Sequence, residues 1–99
     1  MPDLKFSIIG EGVSPTKTIA KVRNFEVIVD EPPSLGGTDA GPNPVEYLLV
    51  ALAGCLNVVG HLVAKEMGFT INSLKIKISG TLDPTKFMGK GGERQVIRK

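Results

Sequence analysis

Cysteine is nearly missing from this chain: Cys55 is the only one among 99 residues. A single thiol closes no disulfide within the chain, which excludes the small secreted scaffold that relies on cross-links in place of a core. Tryptophan is absent, and four phenylalanines and one tyrosine make up the whole aromatic content. With a net charge of only +2, the chain offers neither the basic stripe nor the stacking platforms of a nucleic-acid surface, so no nucleic-acid partner is expected. Histidine is equally scarce. One cysteine and His61, with no ligand spacing between them, do not make a zinc site, and no metal or other cofactor is expected. The opening residues, MPDLKFSIIG, lack a basic segment followed by a long apolar run, so no secretory signal is read there. An unpaired thiol without such a signal points to the reducing cytoplasm.

What the chain does have is ordinary globular composition, 41% hydrophobic and 22% charged, at a length that suits one domain over residues 1–99. The exception is one long apolar run, residues 47–64, close to the roughly 20 residues a bilayer core demands. Asn57 and His61 lie inside it, Gly54 and Gly60 interrupt it, and no basic cluster flanks it to set a topology. It reads as a buried helix of a soluble protein, with no membrane partner.

The helix has clear limits. Asn43 is a good N-cap, Pro44 suits the first helical position, and Glu46 stands three residues after Asn43 as in a capping box. Gly68 is a stop signal, with Lys65 in the last turn. That span is about 24 residues, or ~36 Å at the rise of an α-helix. It is apolar almost all round, so burial on most sides is expected. One chain of this size has too little sheet to cover it, and small residues at 53, 54, 57, 60 and 64 permit close approach of a neighbour. A homodimer with the long helices near each other is the expected arrangement.

Strands flank the helix. Residues 4–9 read as a first strand, with Gly10, Gly12, Ser14 and Pro15 as turn residues. Residues 17–23 and 25–29 alternate with opposite parity, which demands a tight turn or bulge at Asn24. Residues 30–44 are a turn-rich connection. Residues 74–82, LKIKISGTL, alternate cleanly, with Leu74, Ile76, Ile78 and Leu82 on one face. Residues 83–95 read as a loop, and the final VIRK as the start of a further strand. The class is α+β, antiparallel strands packed on one long central helix.

Cys55 is the residue with chemistry in it. Free cysteine is often a buried structural residue, and an apolar setting disfavours the thiolate. Cys55 lies about 12 residues, ~18 Å, from the helix start, too far for help from the dipole. A reactive Cys55 therefore needs a cation from another element. His61 is not its base: six residues on, it points about 120° away and sits ~9 Å further along the axis. It pairs instead with Asn57 one turn back or lies near a partner chain. The glycine-rich segment before the helix lacks both the phosphate-loop pattern and a nearby Lys or Arg, and reads as a turn-rich lead-in.

The run GGTDAGPNPVEYLLVALAGC, followed by a helix ending in KEMG and an alternating strand, resembles the osmotically inducible protein C (OsmC) and organic hydroperoxide resistance (Ohr) superfamily. Gly36, Gly37, Gly41, Pro42, Asn43, Pro44, Glu46, Leu48, Ala51, Leu52, Ala53 and Cys55 carry the likeness. The resemblance implies an intertwined dimer with two long central helices enclosed by sheets. It implies an antioxidant thiol peroxidase of the oxidative stress response, which reduces an organic hydroperoxide with Cys55 as the attacking thiol. Arg23, the only arginine upstream of the helix, then stands for the family's catalytic arginine. The chain departs from that pattern in three ways. It has no second, resolving cysteine, so an external thiol reductant is implied. The family's glutamate position, ten residues before the cysteine, is Val45, with Glu46 beside it. The family's C-terminal part is missing from the chain. The alternative reading is a non-catalytic OsmC-like dimerisation or small apolar ligand-binding module, with Cys55 structural.

Overall fold

The computed structural model describes residues 3–82. In it a three-stranded antiparallel sheet, order β1-β2-β3, is followed by a short 3₁₀ turn and one long helix. The strands are β1 (Ile9–Gly12), β2 (Thr18–Val22) and β3 (Phe25–Val29), and the helix is α1 (Pro44–Glu66). This is the expected α+β class.

The parity switch resolves as a two-residue hairpin turn. Val22 pairs with Phe25, leaving Arg23 and Asn24 as the turn, and Arg23 takes a φ of 53°. A positive φ at the first turn position matches the twist of the two strands. The turn places Thr18, Ala20 and Val22 opposite Val29, Val27 and Phe25, so one face of the sheet carries all six. On the other face Lys21 opposes Glu26.

β1 lies later than the sequence indicates. Residues 4–8 have no strand partner among the described residues, and the strand runs through Gly10 and Gly12, which face Ala20 and Thr18. The true turn is Val13–Lys17. There the Ser14 hydroxyl oxygen accepts from the amides of Thr16 at 3.2 Å and Lys17 at 2.9 Å, and Val13 N donates to Lys17 O at 2.9 Å. Ladder pairing with β2 outweighs the weak strand preference of glycine.

The helix begins and ends as the sequence indicates. Asn43 Oδ1 accepts from Glu46 N at 2.8 Å, and Glu46 Oε1 accepts from Asn43 N at 2.9 Å, which completes the capping box. At the other end Gly68, at φ 87°, donates to Lys65 O, and Phe69 N reaches back to Ala64 O at 2.9 Å. That pair of bonds is a Schellman closure, and it satisfies carbonyls the helix would leave bare.

Two differences stand out. Residues 74–82 form no strand. Ile76 and Ile78 are half-buried and Lys75 and Lys77 exposed, but Leu74 and Leu82, expected on the same inward face, are exposed, so the alternation holds only at the centre of the segment, and no described strand pairs with it. Alternation specifies a face, while a ladder also needs a neighbour. The segment lies beside α1 instead: a Cβ on Gly60 would stand 3.7 Å from Leu74 Cδ2. Second, α1 is not buried within one chain. Ala64 is its only buried residue, whereas Leu48 is 70% and Leu62 57% exposed. One small sheet cannot wrap a helix of 23 residues. The expected loop at 83–95 and the final VIRK strand lie outside the described residues.

Candidate functional site

The path from the sheet to the thiol starts at Asp30, at the end of β3. Asp30 is fully buried, and its carboxylate gathers the loop that follows. Oδ1 accepts from Glu31 N at 2.7 Å. Oδ2 accepts from the Thr38 hydroxyl at 2.5 Å, Thr38 N at 3.3 Å and Ala40 N at 3.1 Å. The Thr38 hydroxyl is the main cause holding the Asp30 carboxyl far below the usual range; burial opposes it, and the Glu31 and Ala40 amides and the Thr16 hydroxyl add to the lowering. Asp30 N donates to Pro42 O at 3.1 Å, and Asp39 N to Glu31 O at 3.0 Å, so the loop folds back on the strand end.

Two glycines make that closure possible. A Cβ on Gly37 would overlap the Glu31 backbone, and one on Gly41 would overlap the Ile28 carbonyl. The loop delivers Asn43 to its capping position, and Tyr47 in the first turn of α1 donates its hydroxyl to Ile28 O at 2.8 Å. The start of the helix is thus fixed to β3 by backbone, carboxylate and phenol together. Sequence reasoning treated residues 30–44 as a mere connection and missed Asp30. The available signal was an acidic residue closing an apolar strand just before a segment of small polar and glycine residues.

From this anchored start, α1 carries Cys55 at mid-length. The thiol is free and exposed. It lies in an open apolar groove of about 730 Å³ lined by Ala51, Gly54, Cys55, Val58 and Val59, with Phe6 from the N-terminal segment. The five helical residues follow the spacing of a single stripe. Ala51 and Gly54 are small, which lowers the floor beside the sulfur, and among the described residues no charged one lines the groove.

The other sequence candidates sit elsewhere. Arg23, in the β2–β3 turn, places its guanidinium 4.9 Å from the centre of the Phe25 ring, a cation–π contact. The single chain does not bring it into the Cys55 groove. Val45 and Glu46 line a second hollow of about 420 Å³ at the start of α1, shared with Leu49 and residues 78–80 and 82. Glu46 is occupied as a cap there. His61 donates from Nδ1 to the Asn57 carbonyl at 2.9 Å, one turn back as expected. It lines a different groove, of about 410 Å³, with Asn57, Val58, Leu62 and Lys65. Among the described residues no group of three or more His, Cys, Asp or Glu is placed to hold a metal ion.

A family model described as OsmC-like protein matches residues 37–98, well over half of the chain. The chain belongs to this family. The OsmC-like match takes in the donors to Asp30 at Thr38 and Ala40, the helix cap, and Cys55; Asp30 itself, Arg23 and the three strands precede it. No curated protein matches the chain. By length and composition α1 is apolar enough to cross a bilayer, a property shared by core helices of soluble proteins. OsmC-like proteins are generally soluble.

Proposed function

We propose that this OsmC-like protein is a thiol peroxidase that acts on organic hydroperoxides through Cys55 as a cytoplasmic homodimer. The observation that carries the reading is the exposed Cys55 thiol at the centre of an apolar groove with space for a hydrocarbon or aromatic group. The Cys55 thiolate attacks the distal peroxide oxygen. An S–O bond forms, the O–O bond breaks, and the alkoxide leaves with a proton as the alcohol; sulfur is oxidised to a sulfenic acid while the peroxide is reduced. A first external thiol then displaces water from the sulfenic acid to give a mixed disulfide. A second releases Cys55 and departs as the oxidised disulfide. An external reductant suits a chain whose sequence contains no other cysteine.

The homodimer reading rests on the uncovered α1. Exposed apolar residues along most of its length exceed the scattered single residues a monomer tolerates. A second copy also offers a route by which Arg23 reaches a thiol that it does not reach within its own chain.

The test is to mix the protein with cumene hydroperoxide and trap sulfenic acid with a dimedone-type probe. A probe adduct on Cys55, absent in Cys55→Ser, is the expected result. No adduct and no peroxide consumption at any pH would end the peroxidase reading. One arrangement favours a second reading, a non-catalytic module that binds small apolar ligands: no described residue gives the groove a cationic wall, and Val45 stands where the resemblance places a carboxylate. Under that reading, the rate at which iodoacetamide alkylates Cys55 ignores Arg23→Ala.

A further inference from the structure

We draw no further inference here: the strongest candidate, the groove on the C-terminal half of α1 where His61 and Lys65 stand one turn apart beside Asn57, lies on the exposed length of that helix, and nothing in the structure shows what covers it.

Discussion

Replacing Asn43 by alanine is the most direct test of how the helix is set. Asn43 Oδ1 accepts the Glu46 amide at 2.8 Å, and the return bond from Asn43 N to Glu46 Oε1 is 2.9 Å. Asn43→Ala removes the first bond only, because the backbone donor of the second remains. Both bonds are exposed, so water partly replaces the lost acceptor, and the cost falls in the middle of the range for caps, about 1 kcal/mol. For a chain of this size that corresponds to a fall of about 4–8 °C in Tm. Melting must be compared at one protein concentration, since association would make Tm concentration-dependent. Urea midpoints give the second measure. Asn43→Asp and Asn43→Ser keep an acceptor at the cap and should restore most of the loss. Glu46→Gln keeps Oε1 and should stay within about 0.5 kcal/mol of wild type. A wild-type midpoint for Asn43→Ala would refute the capping argument. Loss of peroxide consumption in Glu46→Gln at unchanged stability would show that Glu46 acts in chemistry.

Gly41→Ala should destabilise by about 1–3 kcal/mol, read by urea denaturation, because the added Cβ meets the Ile28 carbonyl and must push the loop off β3. The stability that Asp30 contributes is fully present above its unfolded pKa, about 4, and is lost as pH falls below that value toward the depressed folded one. Asp30→Asn should flatten this acid limb, and denaturation midpoints measured down to about pH 2 would expose the difference. Gly54→Leu finds open space within one chain, so a loss of association in sedimentation would locate the helix against a second copy; overpacking of that kind costs about 1–3 kcal/mol. A stable monomer of the wild-type protein at micromolar concentration would remove the homodimer.

The features legible in the sequence are those set by neighbours in the chain. Asn43, Pro44, Glu46 and Gly68 define α1 through bonds spanning three to five residues, so local pattern suffices. The β2–β3 hairpin was legible for the same reason, since its parity switch falls at the turn. β1 was misplaced because its strand character comes from β2 and not from its own glycines. Residues 74–82 show the converse: a strong alternation whose ladder partner is not among the described residues. Asp30 was invisible because its partners at Thr38 and Ala40 arrive only once the loop has closed. At the candidate site, Cys55 was found from its residue type and the family likeness. Phe6 was not, because no sequence spacing joins position 6 to position 55.

The clamp at Asp30 has a consequence for anyone who alters this chain. Composition alone marks residues 30–42, rich in proline and glycine, as the natural place for a tag or an insertion. The structure reverses that advice. An added residue there would shift Thr38 and Ala40 out of register with a buried carboxylate and carry Gly37 and Gly41 away from the two backbone positions that tolerate no side chain. The permissive site is the tip of the turn between β1 and β2, where Val13, Ser14 and Pro15 are exposed and their described bonds are local ones around Ser14 and Lys17; Thr16, whose hydroxyl joins the Asp30 cluster, lies just past it. A fluorescent label or affinity peptide inserted after Ser14 should leave the helix and its thiol in place, while the same peptide after Leu35 should not.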